Sequence, residues 1–481
     1  MSWDVVIGLE IHAELATKSK IFCGCPTTFG GEPNTHCCPG CIAMPGTLPV
    51  FNEKVLEYAV KAGLALNCEI QRYNQFDRKN YFYPDLPKAY QNSQLFFPIC
   101  KNGHVDLSLP SGRTTTVRIT QIHMEEDAGK LIHSPGGDCT YLDYNRGCVP
   151  LIEIVSAPDM SSAEEAVAYL AHVKSTLEYL EVSDCQMQEG SLRADVNLSV
   201  KPAGSQVLGV RTELKNLNSF RAIERAIHAE TERHIAVLES GGTLEQETRR
   251  WDDNKGESFA MRSKENAQDY RYFPDPDIPP IVVSEDFIER CRESQPEFAG
   301  AKAARFVTEY GLNPKDASTL TADKAIAALF ETVAREAKSA KEVSGWMLGD
   351  MMYHISTQGL SPEAVLQISP PAFVAFANAI TEGAINRTAG KKVFEYVFAG
   401  GEDVPGYIEE HGLAQISDDG AIQGAVGKVI AANPGPVAEY RGGKTKTFGF
   451  LVGQVMKELQ GKGNPGQINE ILKQKLEEES T

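Results

Sequence analysis

The stretch DVVIGLEIHAEL, Asp4 to Leu15, alternates with a period of two. In an extended strand Leu9, Ile11 and Ala13 point to one side, while Glu10 and His12 point to the other. The same device recurs. In RITQIHMEED, Gln121, His123 and Glu125 share one side and Thr120, Ile122 and Met124 the other. RADVNLSV sets Asp195, Asn197 and Ser199 against Val196, Leu198 and Val200, and VRTELKNLN puts Arg211, Glu213 and Lys215 on one face. Such strands fit a sheet with one face in a core and the other polar. PLIEIV adds a harder constraint, because Glu153 is a single carboxylate inside an apolar run. A carboxylate buried without a partner is costly or shifts its pKa until it neutralises. A cation is a natural partner, and hard oxygen ligands with a histidine suit Mg²⁺ or Mn²⁺. A polar sheet face lined with carboxylates, Arg211 and Lys215 could hold Mg²⁺ and a nucleotide. For RADVNLSV alone, an ordinary solvated face is the simpler reading.

A second constraint is FCGCPTTFGGEPNTHCCPGC, Phe22 to Cys41, which holds five of the eleven cysteines. MSWDVVIGLE has neither the basic start nor the cleavage site of a secretory leader. No apolar run approaches the ~20 residues a membrane helix needs. The expectation is a soluble, cytoplasmic protein with no membrane attachment, in which thiols stay reduced. Clustered cysteines in such a chain read as metal ligands. Cys23 and Cys25 form C-x-C, and Cys38 and Cys41 form C-x-x-C, around a loop rich in Gly and Pro. Four thiolates on a tetrahedral Zn²⁺ would close that loop and leave no open position, so the site should be structural. Cys37 competes with Cys38 as a ligand, His36 is a further candidate, and a loop of metal-free thiols is the other reading.

With 481 residues, 42% of them hydrophobic, the chain can bury more than one core. It changes character near residue 290. Before that point short alternating strands and turns dominate, with helical patterns at Asn52–Leu66, Ser162–Leu180 and Ser219–Ser240. After it, Ala-rich patterns predict helices over Phe298–Tyr310, Ala322–Lys338 and Lys341–Ser356. AGGEDVPG, Ala399–Gly406, reads as a linker. The expected class is α+β: a mixed-sheet body over residues 1–292, then two small all-helical domains, 293–405 and 406–481. NYFYPDLP (Asn80–Pro87) and YRYFPDPDIP (Tyr270–Pro279) echo one another without making a repeat. GKGNPG (Gly461–Gly466) follows a helical pattern and has Pro465 where a helix should begin, so it is no dinucleotide fingerprint. GGKT (Gly442–Thr445) lacks the first glycine of a P-loop, because Ala438 stands there.

Taken in order, VIGLEIHAEL, the cysteine loop, FDRKNYFYPDLPKAYQ, QIHMEEDAGK, DYNRGCVPLIEIVSAPD, EGSLRADVNLSV, RTELKNLNSFR, RYFPDPDIPP and the C-terminal FGFLVGQVMKELQGKGNPGQINEIL resemble the B subunits of bacterial aspartyl/glutamyl-tRNA(Asn/Gln) amidotransferases. The resemblance spans the whole chain. It implies a cradle domain followed by a helical and a tail domain. It also implies an enzyme that corrects Glu on tRNA(Gln) or Asp on tRNA(Asn). The B subunit phosphorylates the side-chain carboxylate with ATP and Mg²⁺. A glutaminase A subunit sends ammonia through a channel to displace the phosphate, and a small C subunit clamps the other two together in a heterotrimer. Phosphoryl transfer is mostly positioning and charge neutralisation, so neither a triad nor an activated cysteine is needed.

By resemblance, Glu10, His12, Glu125 and Glu153 are assigned to the magnesium and catalytic site; Asp195 is added to them, and alternation puts Arg211, Glu213 and Lys215 toward the nucleotide. Lys79 and Lys88, counted with the catalytic residues, flank the YFYPDLP segment and could contact phosphate, the ammonia path or the acceptor end of tRNA. Tyr81 and Tyr83 could stack on the terminal adenosine, or be ordinary turn aromatics. The adjacent Cys37 and Cys38 depart from the family pattern, where one cysteine is expected. A net charge of −18 argues against a nucleic-acid partner. Residues 421–476, however, carry eight Lys and Arg, among them Lys444, Lys446 and Lys457, against three Glu, a net of +5. That leaves tRNA binding at the tail open, beside a plain solvated surface. The competing function is a non-catalytic, zinc-containing scaffold that binds tRNA. It explains the cysteine loop and the basic tail but not the carboxylates on several strands.

Overall fold

The computed structural model describes residues 2–109, 111–134, 136–262, 270–415 and 418–478. The chain divides into two units, Met1–Phe298 and Ala299–Thr481. The first is built on nine strands: β1 (Trp3–Glu14), β2 (Glu69–Ile70), β3 (Cys100–Ser108), β4 (Thr114–Glu126), β5 (Pro150–Ser156), β6 (Leu192–Pro202), β7 (Thr212–Lys215), β8 (Glu247–Asp252) and β9 (Glu257–Arg262). Their spatial order is β9-β8-β7-β6-β1-β5-β4-β3-β2. Every neighbouring pair is antiparallel except β7 and β8. Parallel neighbours need a long crossover, and helix α3 (Phe220–Glu239) supplies it. β5 and β6 both run antiparallel to β1, so α2 (Ala163–Tyr179) makes a second crossover across the central strand.

The predicted helices of this unit begin where their caps are. The side chains of Asn52, Ser162 and Ser219 accept from the backbone N–H of Lys54, Glu165 and Ala222, starting α1 (Glu53–Ala65), α2 and α3. α1 packs on β4, α2 on β1 and α3 on β6. Ile7, Leu9, Ile11 and Ala13 of β1 are fully buried in one core with Val55 and Ala59 of α1, Tyr169 and Val173 of α2, and Ile223 of α3. The apolar face of β1 is therefore covered by the helical layer, and period-two alternation sends Glu10 and His12 to the other side.

The two echoing segments are neighbours in space. Asp77–Asn80 pairs antiparallel with Phe273–Pro274, Arg78 standing opposite Phe273. Asn80 N–H donates to the Tyr270 carbonyl at 2.9 Å.

The second unit is helical throughout its described residues, and the class is α+β as expected. Ala299–Tyr310 and Lys324–Glu336 match their predicted spans. The predicted Lys341–Ser356 helix is interrupted by a π-turn, Met347–Met351, between Ala340–Trp346 and Met352–Gln358. Val343, Met347 and Met351 are all buried along this stretch. The unit has two cores. One runs from Phe306 to Val404, with Tyr407, Ile408 and Leu413 packed on it, and the other from Ile422 to Leu476. GKGNPG is a docking turn: the Gly461 carbonyl accepts from Asn386 and that of Gly463 from Gln415. No helix among the described residues is long and apolar enough to cross a membrane.

Gly63 sits inside α1, where a Cβ would stand 2.3 Å from Cys100 Sγ and 3.0 Å from Ile70 Cδ1. Ala outranks Gly as a helix former by about 1 kcal/mol. Cys100, however, is fully buried on a strand, and overpacking costs about 1–3 kcal/mol. Gly63→Ala should lower the urea midpoint of the first unit; a raised midpoint would mean that helix propensity wins.

Candidate functional site

Strand register assembles the polar face. Glu10 lies opposite Asp195 on one side and Val155 on the other. His12 lies opposite Arg193 and Glu153, and Glu153 lies opposite His123. The row Arg193–His12–Glu153–His123 thus crosses four strands. Glu125, two residues beyond His123 on β4, completes the group. His12 Nε2 is 3.1 Å from Glu153 Oε2 and 3.8 Å from Glu125 Oε1. His123 Nε2 is 3.5 Å from Glu153 Oε2 and 3.6 Å from Glu125 Oε2. Two imidazoles therefore bracket two carboxylates.

Burial opposes the charge of His12, His123 and Glu153, and their mutual attraction overrides it. Burial would push His123 down, but the charge of Glu153 and the hydrogen bonds of Glu125 and Glu153 raise it to about 10. His12 is raised against the same opposition by its hydrogen bond to Glu153. Glu153 is held well below the usual carboxylate range despite burial, chiefly by His123 and then His12. Glu125 Oε2 is buried, and the 3.6 Å contact to His123 is longer than an ordinary hydrogen bond. Ligand atoms of His12, Glu125 and Glu153 lie within 4.8 Å of one another, which suits one divalent cation.

The expected single metal face divides in two. Glu10 and Asp195 form a separate trio with Glu213, again within 4.8 Å, because Asn197 pairs with Glu213 and brings β7 alongside. Asn197 Nδ2 donates to Glu10 Oε1 at 2.9 Å. The Lys215 ammonium contacts both Asp195 and, at 2.9 Å, Glu213. Burial, followed by the charge of Glu153, raises the Glu10 carboxyl. Arg211 is exposed and precedes the β7 ladder, yet it stays near Glu213: against burial, Lys215 and, more weakly, Arg211 draw the Glu213 carboxyl down.

Lys79 meets this face. Burial opposes its charge, but Glu125, then the nearby tyrosines and Glu153, raise the ammonium. Its Nζ lies 5.1 Å from the Tyr270 ring centroid and 5.9 Å from that of Tyr81. Tyr81 and Tyr270 meet edge to face at 5.7 Å, and Tyr272 adjoins Tyr270 at 6.2 Å. Tyr83 is exposed on the turn. Lys88 does not join Lys79: it is held by Glu126 and, at 2.9 Å, by Asn92 Oδ1. It lines a cavity of about 270 Å³ that also touches Cys41 and Tyr90.

In the cysteine loop, Sγ atoms of Cys23, Cys25, Cys38 and Cys41 lie within 4.8 Å of one another and could hold one metal ion. Cys37 stands apart, its thiol donating to the Asn34 carbonyl at 3.2 Å. His36 is tied by its backbone N–H to Asn145 Oδ1 and its ring is outside the group. Cys41 is held down to about 5, first by the Cys23 thiol and against burial. Lys446 and Lys457 are exposed on the helix Lys446–Glu458, and Lys444 is exposed in the turn before it, 3.4 Å from Glu439.

Residues 5–289 match the family described as GatB/GatE catalytic domain, and residues 328–476 the family described as GatB domain. The chain is 54% identical over 479 residues to the B subunit of the aspartyl/glutamyl-tRNA(Asn/Gln) amidotransferase of Lachnospira eligens, covering 98% of this chain and 99% of that one. The chain belongs to the family of amidotransferase B subunits. Its similarity to the B subunit of Caldicellulosiruptor bescii is 54% over 479 residues, with 99% and 100% covered. That to the B subunit of Thermoanaerobacter pseudethanolicus is 53% over 476 residues, with 99% and 100% covered. All members of both acidic groups fall inside the stretch matching the catalytic domain.

The polar face of this amidotransferase chain contains residues that sequence reasoning did not assign. His123 shares its strand face with Glu125, so the period-two rule reached it. Tyr270 and Tyr272 were signalled only by the echo with NYFYPDLP. One row further along the sheet, Asp127 accepts from Arg146 at 2.7 Å and Arg193 at 2.8 Å, and Arg146 also donates to Glu14 at 3.0 Å. Those pairings depend on the register and left no local signal.

Asp127 is drawn down to about 2 against burial by Arg193 and Arg146. Burial, then the charge of Asp127, pushes its neighbour Glu14 up to about 8 from 4.5. The folded chain thus keeps the Glu14 proton up to about pH 8, whereas the unfolded carboxyl releases it near 4.5. Raising the pH between those values favours the unfolded state, so this contribution to stability falls as pH rises. Glu14→Gln stays neutral and should remove that fall. Urea midpoints of both proteins should diverge in favour of the variant from about pH 5 to about pH 8; parallel curves would contradict it.

Proposed function

We propose that this chain carries out ATP-dependent transamidation of Glu-tRNA(Gln) or Asp-tRNA(Asn). In this reading it phosphorylates the side-chain carboxylate and receives ammonia from a glutaminase A subunit, with a small C subunit completing a cytoplasmic heterotrimer. The observation that carries the reading is the pair of acidic groups on one sheet face, in a chain whose relatives of nearly equal length bear that enzyme's name. A scaffold has no use for buried carboxylates and imidazoles held at such cost.

The residues suit their roles. ATP with Mg²⁺ supplies the phosphoryl group and the charge that neutralises it in transfer. His12, Glu125 and Glu153 would hold one cation, His12 doing so as neutral imidazole. Glu125 Oε2, buried with only a long 3.6 Å contact to His123, fits that use. Glu10, Asp195 and Glu213 would hold a second, with Lys215 balancing them. Lys79, close to both Glu125 and tyrosine rings, is placed to attract the substrate's anionic side chain, and Tyr81 and Tyr270 offer ring surface to the terminal nucleotide. The four cysteines would hold a structural Zn²⁺. We take residues 1–292 as the cradle, 293–405 as the helical domain and 406–481 as a tail that contacts tRNA.

The direct test combines the chain with its partner subunits, glutamine, ATP and each misacylated tRNA, and identifies the amino acid released from product tRNA. Glu125→Gln keeps shape and removes a charge. It should cut amide formation at least about 100-fold, since even outer-shell partners of a metal are worth about 10–100-fold. tRNA binding and folding should persist; near-normal amide formation would remove Glu125 from the site.

For the tail, replacing Lys444, Lys446 and Lys457 by Ala should raise the KM for aminoacyl-tRNA with little change in kcat. Each lost phosphate contact should flatten the log–log salt dependence of tRNA binding by about one unit. Equal affinity and equal salt slope in filter binding would make these lysines ordinary surface.

A further inference from the structure

Lys20 sits at the start of the cysteine loop, and its side chain is 0% exposed. A buried ammonium must find partners for its charge and its donors, or it is costly. Lys20 Nζ donates to the Tyr144 carbonyl at 3.1 Å and lies 3.8 Å from Cys41 Sγ. Among the described residues no carboxylate comes within ion-pair distance of it. A carbonyl satisfies a donor but carries no net charge. The anionic partner must therefore be the sulfur group. Four thiolates around Zn²⁺ carry a net charge of about −2, which is itself costly away from water. The backbone fixes the arrangement, because Lys20 N–H donates to the Cys25 carbonyl at 2.9 Å and ties the lysine to the C-x-C turn.

We propose that Lys20 is the resident counter-ion of the four-cysteine centre, a positioning residue whose buried charge keeps the thiolates metal-bound. The inference rests on the zinc reading of that loop. With Lys20 present, half the excess negative charge of the loaded centre is offset. Without it, the thiolates are more basic, protons compete better with the metal, and the sulfurs become stronger nucleophiles.

The test uses the full chain with three replacements. Lys20→Gln keeps a donor for the Tyr144 carbonyl and removes the charge. Lys20→Arg keeps the charge, and Lys20→Met removes both. Zinc is counted by elemental analysis, and its affinity is measured by competition with a chromophoric chelator. Loss of zinc on treatment with iodoacetamide is followed separately, since a merely structural latch would not change thiolate nucleophilicity. Lys20→Gln and Lys20→Met should bind zinc at least about tenfold more weakly and lose it about tenfold faster to alkylation, whereas Lys20→Arg stays within about threefold of the wild type. Wild-type-like affinity and alkylation in Lys20→Gln would overturn the proposal, as would equal loss in Lys20→Gln and Lys20→Arg, which would make the role one of shape. If Lys20→Met fails to fold, the Gln–Arg comparison still decides. A folded wild type without zinc would instead sink the zinc reading itself.

Discussion

Two carboxylates and two imidazoles crowded into one water-poor corner of a sheet must balance their charge, and much of this fold serves that balance. Glu153 is tolerated on β5 only because His12 and His123 stand on the strands to either side, directly opposite it in each register. A slip of one residue in either pairing would send the histidines to the core and strand the carboxylate. Register is in turn set by the apolar side of the same strands. Ile7, Leu9, Ile11 and Ala13 are buried, and α1, α2 and α3 cover them. The helical layer thus holds the chemistry in register from the opposite face of the sheet.

Under the proposed function, proton and metal would compete for the same corner. Without a cation, the raised pKa values of His12 and His123 keep the carboxylates compensated by imidazolium. A divalent ion that binds His12 must displace its proton, so metal uptake here is coupled to proton release. The second group follows a different rule. Glu10, Asp195 and Glu213 have a lysine rather than histidines beside them, and Lys215 stays charged across the whole physiological range. Two adjacent groups of similar ligands therefore differ in how strongly their cation affinity should depend on pH.

Much of this was legible in the sequence because alternation with period two is local. Glu10, His12, Glu125 and Glu153 were reached from their own strands, and three of the four gather at one point. Helices α1 to α3 were legible for the same kind of reason, with Asn52, Ser162 and Ser219 announcing their starts. Pairing between distant strands was not legible. Only register joins Glu10 and Asp195 to Glu213, or Arg193 to Asp127, and only long-range contact puts Tyr270 beside Lys79. The partners of Lys88 were not legible either: it flanks YFYPDLP together with Lys79, but only the fold shows it, just before the short strand Tyr90–Ser93, paired with Glu126.

The lysines expose a division of labour that the overall charge of −18 conceals. In the first unit Lys20, Lys79, Lys88 and Lys215 are each drawn to an acidic side chain or to sulfur. Their charge is used internally, and little of it reaches solvent to attract a polyanion. The exposed lysines of the tail are different: among the described residues Lys444 has only the rim partner Glu439, so its field extends into solvent. In the proposed reading an approaching tRNA would be attracted at the tail. That asymmetry orients the encounter more than it strengthens it. In the proposed reading the terminal nucleotide enters an acidic face, and there the internal cations would matter most. Lys79 is the one of the four that lies against aromatic rings with no oxygen or sulfur in hydrogen-bonding range among the described residues, which leaves its donors available to an incoming carboxylate.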